Sequence, residues 1–344
     1  MGSDNIHGFS GDQRAPHLTH ADLHVVLEAR HGMTPAFANT ASPVPVPAGN
    51  NLFAVLAPGL FVFLWATGFI GAKFGLPYAE PLTFLALRFA FVIAGMLVFC
   101  LIVRAPWPRT LTEWVHIAIV GVMLHGLYLG GVFVSISLGV EAGTSALIVA
   151  IQPLFVALLA APVLGERVTW RQWIGLLLGI AGVTLVVFRK LGLGIGTPVG
   201  MGFSIVALIA ITVGTLYQKR FCASMDLRTG NVIQFTAALI VCVIGAALTE
   251  DFRVEWTGEF VFALSWLVIV LSFGATTLLL MLIRAGAASK VSSLFFLVPA
   301  VAAIIAWPLF GETFGPVAIA GMVLVTVGVA LVTLGGAAKP KVAE

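Results

Sequence analysis

Shifted by 146 residues, the chain falls on itself without a gap. Ala142, Pro153, Ala157, Ala160, Pro162, Gly165, Glu166, Gly175, Gly182 and Val183 land on Ala288, Pro299, Ala303, Ala306, Pro308, Gly311, Glu312, Gly321, Gly328 and Val329. Much earlier in each copy, the same shift sets Gly68 on Gly214 and Lys73 on Lys219. Each copy is built of apolar stretches of about 20 residues, the length that crosses a hydrocarbon core about 30 Å thick. A repeat of membrane helices is the usual construction of a secondary transporter. If each copy holds an odd number of spans, the second must lie upside down relative to the first.

Composition excludes a soluble protein. Of 344 residues, 60% are hydrophobic and 10% charged, against about 25% charged in a soluble domain. A net charge of +3 does not describe a nucleic-acid binder, and no nucleic-acid partner is expected. Cys100, Cys222 and Cys242 form no C-x-x-C pair, which argues against a disulfide framework or a thiolate metal site. Residues 1–50 are polar and carry His7, His17, His20, His24 and His31. No ligand spacing recurs among them, so they read as a solvated tail rather than a metal site. This tail lacks the apolar run and cleavage site of a secretory signal. Met33 is an alternative start.

Ten segments qualify as spans: 53–74, 81–103, 114–137, 143–164, 170–188, 199–218, 230–249, 261–283, 289–310 and 315–335. Turn residues such as Pro77, Pro106, Gly165, Pro198, Gly258 and Pro316 mark the breaks. With the N-terminus in the cytoplasm, eleven Lys and Arg fall in the inner connections and C-terminal tail, and three (Arg189, Lys190, Arg253) in the outer ones. The positive-inside rule therefore puts both termini in the cytoplasm. Five spans per copy then make the copies antiparallel.

Polar groups inside spans are costly and usually face a cavity or a partner. Arg88 lies within span 2, and its repeat partner Gln234 is also polar. Arg88 and Lys73 read either as groups that attract a substrate or an anion, or as groups snorkelling to headgroups or paired structurally with Glu80 or Glu141. Gln152 and Pro153 lie in mid-span 4, and Pro299 at the matching depth of span 9. Proline frees a backbone carbonyl one turn earlier, and in lipid that carbonyl needs protein, water or ligand. The matched prolines therefore point to a central site or to a pair of packing kinks. Trp65 is placed to stack on a substrate. His125 and Tyr128 are further pathway candidates, and an imidazole titrating near pH 6.5 can carry a coupling proton. Gly165–Glu166 and Gly311–Glu312 read as structural hairpins, with a glycine closing one helix and a glutamate at the N-terminal approach of the next. No catalytic motif occurs, and no cofactor or metal is expected.

The runs Ala142–Val187 and Ala288–Thr333, with their repeated P…G-E…G…G spacing, resemble the closing half of an EamA unit. The segment from Phe63, with its W-x-x-x-[FY] and L-R-F pattern, looks like the family's opening. The chain is thus identified with the EamA family of the drug/metabolite transporter superfamily. That resemblance implies an all-α integral membrane protein with ten transmembrane helices in two inverted five-helix EamA repeats, at 53–188 and 199–335, between a tail at 1–50 and a short one at 336–344. It implies a bacterial inner-membrane location and a cavity lined by spans 1, 3, 4, 6, 8 and 9. It further implies transport of small metabolites, often export of amino acids or related compounds. Import of a sugar, a cofactor precursor or a quaternary amine is the alternative. Expected partners are a small-molecule substrate and membrane lipid, with proton coupling possible and a monomer the simplest oligomeric state. Trp65 is matched by Ile211, so the halves differ around the cavity.

Overall fold

The computed structural model describes residues 51–164, 169–275, 278, 282 and 295–334. Among them the architecture is helical, with one isolated bridge between Ala79 and Val254. The helices are α1 (Asn51–Gly75), α2 (Pro81–Ile102), α3 (Leu111–Ser137), α4 (Ala142–Val149), α5 (Gln152–Leu164) and α6 (Trp170–Gly192) in the first copy. The second copy holds α7 (Pro198–Phe221), α8 (Leu227–Thr249), α9 (Gly258–Ala275), α10 (Val298–Phe310) and α11 (Pro316–Leu334). Seven of them are long and apolar enough to cross a membrane, and three shorter apolar stretches, Ala142–Val156 (spanning α4 and the start of α5), Val298–Phe310 and Pro316–Leu331, accompany them. Large side chains such as Leu101, Ile102, Phe188, Leu248 and Ile304 are exposed along them, as lipid-facing surfaces require. The expected ends at Gly165 and Glu166 and the two tails lie outside the described residues.

Local chemistry sets the helix ends. Thr110 and Thr169 cap α3 and α6 in reciprocal capping boxes with Glu113 and Gln172. Asp226 caps α8, accepting from the backbone of Arg228 and Thr229. Its carboxyl is held below the usual range mainly by the hydrogen bond from the Arg228 side chain. Gly311 closes α10 at φ 66°, its N–H donating to Trp307. This is the left-handed cap that glycine adopts without strain.

The expected kinks are helix breaks. Ala150 and Ile151 separate α4 from α5, and Pro153 stands second in α5. Pro299 stands second in α10, after a single 3₁₀ turn at Phe295–Leu297. Proline is tolerated there because a helix's first N–H groups have no partner within it. Repeat-matched irregularity appears again in spans 3 and 8. Val122–Leu127 and Trp266–Ala275 are π-helical, a widened turn that marks functional sites more often than chance.

The copies interlock through equivalent elements. A Cβ on Gly182 would lie 2.5 Å from the Gly321 carbonyl oxygen, and one on Gly328 would lie 2.5 Å from that of Gly175. Gly175 and Gly182 are the repeat partners of Gly321 and Gly328, so the two contacts are one contact seen twice. Residue numbers rise along α6 as they fall along α11, so equivalent helices run antiparallel. The same holds where Glu250, at the end of α8, accepts from Leu82 and Thr83 N–H, at the start of its equivalent α2. The inversion read from loop charges and span counts is thus visible in the packing. Small residues permit this approach of backbones, the main source of helix association in lipid. Gly182→Ala or Gly328→Ala should cost about 1–3 kcal/mol and lower the melting temperature in detergent. Gly202→Ala, where a Cβ meets nothing within 4 Å, should leave it unchanged.

Candidate functional site

A cavity of about 340 Å³ lies between the copies. It is walled by Trp65, Gly68 and Phe69 of α1, Arg88 of α2, and Leu124, His125, Tyr128, Leu129, Val132 and Phe133 of α3. The second copy supplies Ile211 and Thr215 of α7, Phe235 of α8, and Leu271 and Ser272 of α9. Three lining pairs are repeat partners: Trp65 with Ile211, Phe69 with Thr215, and His125 with Leu271. The cavity therefore sits on the pseudo-twofold axis that relates the copies. Leu124 and His125 come from one π-helical segment, and Leu271 and Ser272 from the other. The first copy contributes the arginine, the imidazole and the indole, and the second contributes hydrocarbon at the positions matching the last two.

Arg88 is 4% exposed. One guanidinium nitrogen, Nη2, donates to Ser272 Oγ at 3.2 Å. Its Nε has no hydrogen-bond partner. Ser272 in turn donates to the Leu267 carbonyl at 2.9 Å, so its oxygen faces the arginine as an acceptor. His125 stacks on Phe235, with ring centroids 4.2 Å apart. Trp65 meets Phe295 edge-on at 5.2 Å. Gln152 reaches the cavity wall indirectly, donating to Thr215 Oγ1 at 3.3 Å.

One end of the bundle is tied between the copies by side-chain contacts, alongside an ion pair within the first copy. Lys73 pairs with Glu312 at 2.5 Å, and Glu312 also accepts from the N–H groups of Ala142 and Gly143, the first residues of α4. Lys190 pairs with Glu141 at 2.6 Å and donates to the Thr313 carbonyl at 2.9 Å. Glu250 accepts from Leu82 N, Thr83 N and Thr83 Oγ1. Glu80 accepts from Asp251 N and Arg253 N. Carboxylates on helix N-termini satisfy donors that the helix cannot.

These contacts correct several expectations. Neither Glu80 nor Glu141 pairs with Lys73 or Arg88; Glu312 takes Lys73, and both other acids are engaged elsewhere. Glu312 stands at a helix N-terminus, but that of α4 in the other copy rather than that of α11, because α11 opens with Pro316 several residues on. Gln234 is buried with its amide 3.6 Å from Met225 Sδ and does not line the cavity. Its backbone abuts Gly121, where a Cβ would clash with the Gln234 carbonyl oxygen. Pro153 and Pro299 start their half-helices without lining the cavity. Among the described residues, spans 2 and 7 provide wall where spans 4 and 9 were expected. Thr215 and Ser272 are lining groups that the sequence reading missed.

A helical membrane protein with an antiparallel repeat and a cavity on the repeat axis has the build of a solute transporter. The chain belongs to the EamA-like transporter family, whose sequence pattern matches residues 52–188 and 198–334. It is 27% identical to the uncharacterized transporter YvbV of Bacillus subtilis over 79% of this chain and 88% of that one. It is 25% identical to the uncharacterized inner membrane transporter YedA of Escherichia coli, over 87% and 95%. A Chlamydia trachomatis protein named S-adenosylmethionine/S-adenosylhomocysteine transporter is 28% identical over 75% and 82%. A solved crystal structure shares the fold at a TM-score of 0.57 and 19% identity, over 82% of this chain and 97% of its own.

Glu312→Ala removes the acceptor from Lys73 and from two backbone donors together. It should destabilise the protein by about 2–3 kcal/mol, at the lower end of buried-pair losses because Lys73 is 27% exposed and can reach water. A cysteine placed at Ile211 should then react faster with an impermeant maleimide. Unchanged stability and labelling would show that the stitch does not hold this end closed.

Proposed function

We propose that this protein is a secondary transporter that moves a small metabolite by alternating access, most simply exporting amino acids or related small polar compounds. The supporting observation is the cavity, built from matched residues of both copies beneath an end tied between those copies. Rocking one copy against the other would break the ties at Glu312, Lys190, Glu250 and Glu80 and open the cavity to the opposite side. In this reading ten helices cross a bacterial inner membrane, with repeats at 53–188 and 199–335 and both termini in the cytoplasm. The stitched end then faces outward.

Trp65, Arg88, His125 and Tyr128 would contact the solute, and Gln152 would hold Thr215 in place. Pro153 and Pro299 would act through the half-helix breaks, and His125 would carry any coupling proton. The name of the Chlamydia relative supports a second reading, an adenosyl sulfur metabolite.

Flux in proteoliposomes decides between these readings. Amino acids, their close derivatives, S-adenosylmethionine and S-adenosylhomocysteine should be offered with and without a proton gradient. Gln152→Ala and Arg88→Ala should each lower flux at unchanged expression, and His125→Gln should remove any dependence on the gradient. A folded protein that moves none of these solutes would sink the export reading.

A further inference from the structure

Among the described residues, the cavity holds a fixed cation and no countercharge. Nine acidic residues lie between residues 51 and 334 in the described part of the chain, and all stand in connections or at helix ends. The segment 276–294 contains no Asp or Glu. Glu80, Glu141, Glu250 and Glu312, the acids of the stitched end, are already engaged. Arg88 begins the third turn of α2, about 10 Å along the helix at 1.5 Å per residue, and is buried. A guanidinium does not deprotonate in proteins, so its charge persists. Serine supplies one neutral acceptor, and Nε has none. An anion meeting Nε and the free Nη positions would satisfy the fork that carboxylates fit best.

Apart from the Thr215 and Tyr128 hydroxyls and the His125 imidazole, the remainder of the wall is apolar or aromatic, with Trp65, Phe69, Leu124, Val132 and Phe133 prominent. The described lining includes no carboxylate to receive an ammonium or sulfonium group. Desolvating such a cation beside Arg88 would be doubly unfavourable, since burial and like charge both oppose it.

We infer that Arg88 is the anchor for a carboxylate, and that the preferred ligand class is a monocarboxylate with an apolar or aromatic body and no positive charge. This rests on the transport reading and narrows it. Deaminated relatives of amino acids should bind at least as well as the amino acids themselves.

The test holds one skeleton constant and varies its charge. Purified wild-type protein in a non-ionic detergent is titrated calorimetrically with 3-phenylpropanoate, phenylalanine and phenethylamine, with 4-methylpentanoate as an aliphatic check. The expected order is anion, then zwitterion, with no cation binding. Arg88→Gln should weaken the anion by about ten-fold or more, as loss of a charge-assisted hydrogen bond predicts, and Arg88→Lys should restore part of it. Equal binding of the cation, failure of both carboxylates, or a folded Arg88→Gln protein that binds the anion unchanged would each overturn the assignment. The comparison among wild-type ligands stands even if the variants fail to fold. If the charge order holds but proteoliposomes show no flux, transport fails and the anchor survives. If solutes move regardless of charge and of Arg88, the anchor fails and transport survives.

Discussion

Hydrocarbon offers no hydrogen bonds, and that constraint arranges this whole molecule. Every backbone donor and acceptor at membrane depth must be satisfied by the protein itself, so regular helix is the default. Departures are tolerated only against protein or a cavity. The departures here fall in matched places: the breaks before Pro153 and Pro299, and the π-helical turns of spans 3 and 8. The π-helical turns deliver lining residues directly. The break in span 4 leaves Gln152 at the start of a half-helix, from which its amide reaches Thr215.

The same constraint drives acids to the ends. There they bind helix N-termini of the opposite copy, as Glu312 does on α4 and Glu250 on α2. Each such contact spans the repeat boundary. An end tied in this way holds the two copies together through several hydrogen bonds at once.

Much of this was legible in the sequence, for definite reasons. Inversion followed from loop charge and span count, since lipid polices both. Trp65, Arg88, His125 and Tyr128 stood out because such groups are conspicuous in an apolar run, and all four line the cavity. Thr215 and Ser272 were invisible because their hydroxyls bond to their own helices, at Ile211 and Leu267, and so fit an apolar span without remark. Gln234 stands outside the wall, beside Met225 and Gly121, and reaches the cavity through its side-chain hydrogen bond with His125. The partner of Glu312 was hidden because it is 239 residues away at Lys73, and no local spacing encodes a contact across the repeat.

The repeat therefore separates two jobs. Positions that must behave identically in both copies have stayed alike: the glycines of α6 and α11 let the same backbone contact form twice, so the interface is self-complementary under rotation. Positions that line the cavity differ between the copies: Trp65 against Ile211, His125 against Leu271, Phe69 against Thr215. A symmetric cavity would present two arginines at equivalent places, and their like charges would oppose each other at low dielectric. With Gln234 at the second place, beside Met225 and bonded to His125, Arg88 is the one cation among the described lining residues. Among the described lining residues, one cation on a twofold axis of helices makes the cavity electrostatically one-sided, while the helices around it keep their symmetry.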